Sequence, residues 1–138
     1  MIERAEIEAL IPHGGAMVLL DRVVAHDEKS ILCRTMSHRR ADNPLRHEQR
    51  LPTVAGAEFG AQAAAVHGAL LAKGPMRPGR IVLLRAMRWT RRFLDDVQAP
   101  IDVRAESLRR DADNIAYGFV LTAEGDELLH GECGIILS

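Results

Sequence analysis

Between Thr53 and Leu71 the sequence reads TVAGAEFGAQAAAVHGALL, and only Glu58 in it is ionised at neutral pH. Pro52 and Thr53 supply a helix start and Gly74-Pro75 a stop, so the spacing predicts a helix over Thr53–Lys73. The helix is apolar on nearly all faces, which predicts that it is buried all round. A lone carboxylate there must find a partner or hold a proton at neutral pH, although the positive end of the helix dipole favours its ionised form. An acid in such a place marks a functional site more often than not. The plainer alternative is a glutamate facing solvent, or one paired with an arginine of the Arg39–Arg50 loop. Gln62 lies one turn later on the same face, where it can orient Glu58, contact a substrate amide, or simply bond to nearby backbone. His47 precedes the helix in a polar loop, and an imidazole delivered to Glu58 makes an acid–base pair able to move a proton from carbon. By itself His47 reads rather as a solvated loop residue. His67 reads as a core histidine bonded to the sheet. His13, His38 and His130 are isolated, and no pair has the spacing of metal ligands, so no metal site is expected.

Charge is the second signal. Between Glu58 and Asp95 there is no acid, yet Lys73, Arg77, Arg80, Arg85, Arg88, Arg91 and Arg92 all fall there. A basic surface on a chain of net charge −1 suits an acidic partner steered by electrostatics, and a solvated strand face is the alternative. The near-neutral balance argues against a general nucleic-acid binder. Hydrophobic residues at 47% and charged residues at 27% of 138 exclude a disordered chain. Cys33 and Cys133 form no metal or disulfide pattern and point to a reducing cytoplasm. The opening MIERAEIEAL lacks the basic and apolar runs of a signal peptide, and the Ala-rich stretch with Glu58 is a poor membrane span.

These side chains need a scaffold. Glu3–Leu10 reads as a short helix, and Met17–Ala25 and Ser30–Ser37 as strands joined by a turn at His26–Lys29. After the polar loop Ser37–Pro52 and the long helix come four strand-like runs, RIVLLRAMRWTRRF, PIDVRAESLRR, NIAYGFVLTAE and ELLHGECGIILS. Asp111–Asn114 and Glu124–Asp126 supply hairpin turns between the last three. An α+β fold in one domain over residues 1–138, an antiparallel sheet wrapped around one long buried helix, satisfies that order.

The motifs then match a known family. Leu10–Val23, LIPHGGAMVLLDRV, resembles the opening PHRxPFLLVDRV of the hotdog-fold 3-hydroxyacyl-acyl carrier protein dehydratases. Leu51–Gln62, LPTVAGAEFGAQ, resembles their MPGVLMIEALAQ, whose glutamate falls on Glu58, and Arg88–Phe93 looks like their ARFKRPV strand. The run from Asn43 to Leu70 is more similar still to the dehydratase-like subfamily of aryl polyene and related polyketide-type clusters. The resemblance implies a hotdog domain, dimers with sites at the subunit interface, and dehydration of a 3-hydroxyacyl thioester on acyl carrier protein. It implies Glu58 as the acid–base group at the hydroxyl and His47 at the Cα proton. Gln62, Thr53, Val54 and Gly56 are then implied to bind substrate, and Arg85, Arg88, Arg91 and Arg92 to dock the carrier. Phosphopantetheine arrives with the substrate, so no bound cofactor is expected. Two features depart from the family. No GHFPGxPxxPG string delivers a histidine, since Asn43–Arg50 stands in its place, and the family glycine whose amide polarises the thioester is Thr53 here. A hotdog thioesterase using Glu58 to activate water, and a non-catalytic subunit partnering an active paralogue, are the competing expectations.

Overall fold

The computed structural model describes residues 1–138. Strand β1 (Ile2–Glu3) leads into helix α1 (Arg4–Leu10), followed by β2 (Arg22–His26) and β3 (Ser30–Thr35). A 3₁₀ turn at Thr53–Ala55 opens the long helix α2 (Gly56–Ala72). Then come β4 (Gly79–Trp89), β5 (Ile101–Arg110), β6 (Asn114–Ala123) and β7 (Asp126–Leu137). All strand pairs are antiparallel, and they form one seven-stranded sheet in the order β1-β2-β3-β5-β6-β7-β4. The sheet wraps around α2, as the order of elements in the sequence implies.

The helix seats closely because its sheet-facing residues are small. A Cβ added to Gly60 would stand 2.5 Å from Cγ of Phe119, and one added to Gly56 would stand 2.5 Å from a methyl of Leu129. Phe59, Ala63, Ala64 and Val66 are fully buried beside Tyr117, Phe119 and Leu121 of β6. Removing a buried aromatic of this kind costs about 3–5 kcal/mol. The helix ends where Lys73 takes a left-handed conformation and the Gly74 amide returns to the Ala69 carbonyl at 3.1 Å.

Several boundaries differ from the sequence reading: the strand expected over Ser30–Ser37 stops at Thr35, and the one expected to run to Phe93 stops at Trp89. The strand expected over Met17–Ala25 begins only at Arg22, because Gly15–Met17 forms a 3₁₀ turn and the amides of Leu19 and Leu20 turn toward α2. Strand β1 is two residues long, too short for any alternation to announce it.

His67 is the core histidine its position implies. Its Nδ1 lies 2.5 Å from the Tyr117 hydroxyl, its Nε2 lies 2.8 Å from the Asp27 carbonyl, and Arg110 donates to the same hydroxyl. Burial pushes the His67 imidazole below its ordinary value, as it does for His38, which bonds the Val97 carbonyl. The unfolded chain therefore binds more protons than the folded one once pH falls below about 6.5. Stability is complete above that value and is lost as pH drops through the depressed folded-state pKa values. Thermal melts between pH 7.5 and 5 will show a falling Tm, and His67→Gln will flatten the slope.

Candidate active site

A cavity of about 380 Å³ runs along the one stripe of α2 not pressed onto the sheet. Glu58, Ala61, Gln62 and Ala65 line it at the i, i+3, i+4, i+7 spacing of a single helical face. The sequence expectation of a helix buried all round is corrected here. Glu58 is exposed on that face, so its carboxylate needs no partner, and it makes no hydrogen bond or ion pair within the chain. Arg46 and Arg50, the partners considered for it, are engaged elsewhere. Arg46 donates to the carbonyls of His38, Arg40 and Gln49, while Arg50 binds Asp95 at 2.8 Å and Asp96 at 3.0 Å and stacks 3.8 Å over Phe93.

Those same contacts decide where His47 goes. His47 and Arg50 exchange both backbone hydrogen bonds, at 2.7 and 3.0 Å, across Glu48 and Gln49 at φ 50° and 68°. This is a tight hairpin with two left-handed central residues, and its tip faces water. The His47 side chain is 82% exposed beside Glu48 and does not line the cavity. The structure thus does not bring His47 to Glu58. The loop reaches the cavity with Pro44 and Leu45 instead.

Gln62 is bonded to the backbone through both ends of its amide. Its Oε1 accepts from the amides of Leu19 at 2.6 Å and Leu20 at 3.3 Å, and its Nε2 donates to the Met17 carbonyl at 2.9 Å. It is a staple holding the Met17–Leu20 segment against the cavity wall, and it lines the cavity as well.

The helix start is also rearranged relative to expectation. Thr53 is fully buried, and its amide donates to the Arg92 carbonyl at 2.9 Å within a short bridge between Pro52 and Phe93. That amide is therefore spent, and Thr53 cannot offer it to a ligand. The next amide, of Val54, donates to no carbonyl, and its residue is 42% exposed. Gly56 is buried against Leu129, Leu121 and Leu94, so it serves packing.

Of the four arginines expected to dock a partner, Arg85 is held by Glu132 at 3.0 Å. Arg88, Arg91 and Arg92 are exposed and make no ion pair, and the Arg92–Thr53 hydrogen bond places them beside the start of α2. Burial, with the Glu58 charge in smaller part, pushes the Cys133 thiol up to about 11, and burial pushes Cys33 up to about 12. Neither is a thiolate nucleophile at neutral pH. His13, on the loop after α1, also lines the cavity; its sequence setting gave no sign of this.

A sheet wrapped around one central helix, with a cavity along the exposed helix face, is the hotdog fold. The chain aligns with the dehydratase heterocomplex ApeI:P from Xenorhabdus doucetiae at a TM-score of 0.84 and 20% identity, covering 96% of this chain and 90% of that one. A Pseudomonas aeruginosa thioesterase aligns at a TM-score of 0.58 and 10% identity, over 84% of this chain and 79% of that one. The PaaI protein of the Escherichia coli phenylacetic acid degradation operon aligns at 0.59 and 8%, over 83% and 80%. No curated protein sequence matches the chain. The sequence pattern of the ApeP-like family, described as ApeP dehydratase, matches residues 5–136, and the chain belongs to that family. No helix is long and apolar enough to cross a membrane.

The staple generates a direct test. Gln62→Leu keeps the volume but strands two buried donors and one acceptor, each costing about 1–3 kcal/mol. Urea unfolding will show a loss of roughly 3 kcal/mol or more at unchanged m, whereas Gln62→Glu, which retains the acceptor, will lose less.

Proposed function

We propose that this chain is the glutamate-bearing subunit of a dehydratase that removes water from a 3-hydroxyacyl thioester held on acyl carrier protein. The observation that carries the reading is Glu58, an unpartnered carboxylate on an otherwise apolar helix, facing an apolar cavity. In this chemistry a base takes the Cα proton, the Cα–Cβ double bond forms, and the β-hydroxyl leaves as water with a proton from Glu58, which enters the step as the carboxylic acid and leaves it as the carboxylate. Negative charge developing on the thioester oxygen is met by the Val54 amide at the positive end of α2. Family membership in the ApeP dehydratases supports the reaction class.

The base is expected from a second chain. His47 stands outside the cavity, and the sheet ends in a free edge, β4, whose Val82, Leu83, Leu84 and Trp89 are 42–52% exposed. This eleven-residue strand is paired with β7 on one side only, and its other edge calls for a partner strand. A homodimer or a heteromer with a paralogue meets that need, and the similarity to a dehydratase heterocomplex favours the heteromer. The carrier, an acidic protein by this reading, docks at Arg88, Arg91 and Arg92 beside the helix start. A thioesterase remains the second reading, since Glu58 alone can activate a water and several similar structures are thioesterases.

Mass spectrometry of 3-hydroxyacyl carrier protein, incubated with this chain alone and with a histidine-bearing hotdog partner, separates the readings. Loss of water is the expected result, and loss of the acyl group with a free thiol identifies the thioesterase. Glu58→Gln should lower turnover about a hundredfold or more. Its Tm should hold, because the carboxylate has no partner to lose. Wild-type turnover by this variant overturns the assignment.

Carrier docking has its own measurement. Arg88→Glu together with Arg92→Glu will weaken carrier binding and flatten its salt dependence.

A further inference from the structure

The cavity is apolar along its length but carries opposite charges at its two ends. Glu58 is the only acid in its wall and stands near the start of α2. The bases of the wall are His13, Arg77 and Arg80. Two contacts place the arginines at the opposite end. Met76 packs on Gly68, its Cε 2.9 Å from where a Cβ would stand, and its amide donates to the Leu10 carbonyl at 2.8 Å. Gly68 lies about 15 Å beyond Glu58 along the helix axis. Arg77 follows Met76 directly, Arg80 enters β4 opposite Ile136 of β7, and His13 sits on the stretch that leaves Leu10. Between the two ends the wall is apolar, with Ala61, Ala65, Ile115 and Ile135. Arg77 is partly engaged, by Asp113 at 3.1 Å and the Ala112 carbonyl at 2.6 Å. Arg80 makes no ion pair or side-chain hydrogen bond within the chain.

From this arrangement we infer that the cavity selects acyl chains that end in an acid, with Arg80 and Arg77 receiving a carboxylate at the far end. The inference rests on Glu58 acting at the β-carbon, as proposed above. With the thioester oxygen at Val54, the acyl chain leaves Glu58 toward Ala61 and Ala65, in the direction of the arginines. The carrier arm leaves the other way, toward Arg88, Arg91 and Arg92. A methyl-ended chain filling this cavity strips water from guanidinium groups and gives nothing back. A carboxylate forms charge-assisted, fork-shaped hydrogen bonds with them. The arginines thus act as a specificity element rather than as part of the reaction.

The test is calorimetric binding of two unreactive thioether analogues of acyl pantetheine, matched in length, one ending in a carboxyl and one in a methyl. The wild-type protein is expected to bind the acid about tenfold more tightly. That ratio is expected to narrow in high salt and to fall to within about twofold in Arg80→Gln. Arg80 is exposed and unpaired, so the variant should fold, and an unchanged Tm verifies this. Equal binding of the two analogues by the wild-type protein overturns the inference, as does a preference that survives Arg80→Gln. A third analogue carries a phosphate on the pantetheine arm and a methyl end. If the Arg80-dependent gain follows that phosphate and not the carboxyl, the arginines face the arm, and the inference falls. The functional reading fails separately, through wild-type turnover by Glu58→Gln. Loss of the acid preference with Glu58-dependent dehydration intact removes only the specificity element.

Discussion

At Gly56 and Gly60 the backbone of α2 comes so near Leu129 and Phe119 that a methyl group would stand 2.5 Å from a carbon of each. This close seating fixes both the height of the helix over the sheet and its rotation about its own axis. With rotation fixed, the Glu58–Ala65 stripe turns away from β5 and β6, and the cavity forms along it. The same rotation aims Gln62 at the Met17–Leu20 segment, which becomes a wall rather than a strand. A bulkier residue at Gly60, set against the Cβ and Cγ of Phe119, would lift the helix and uncouple all of these at once.

The loop before α2 answers to a different force. Two of its arginines turn back onto the chain rather than outward. Arg46 collects three backbone carbonyls, and Arg50 binds two aspartates while covering an aromatic ring. Cross-linked in this way, the loop has a single shape. That shape brings Pro44 and Leu45 to the cavity and sends the His47 hairpin to water.

Much of the fold was legible in the sequence because its signals are local. Hydrophobic alternation marks β5 to β7, Gly74-Pro75 marks the end of α2, and an Ala- and Gly-rich composition marks a helix seated tightly. Glu58 was legible as the one charge in that helix, although its exposure was not, since a helix wheel carries no information about where a cavity opens. The role of Gln62 depends on partners more than forty residues away in the chain. The fate of His47 depends on a turn built from Glu48 and Gln49, residues with no strong turn preference. Likewise the amide of Thr53 is claimed by Arg92, a backbone pairing across the chain that no spacing encodes.

The bare edge of β4 has a consequence for solubility. Its backbone donors and acceptors on that side, flanked by Leu83, Leu84 and Trp89, are complementary to any extended chain that meets them. A copy synthesised beyond the supply of its covering strand is left with that adhesive margin open. If a second subunit covers this edge, as proposed, production in step with that subunit is a matter of solubility before it is a matter of activity, and imbalance in gene dosage would surface first as precipitate.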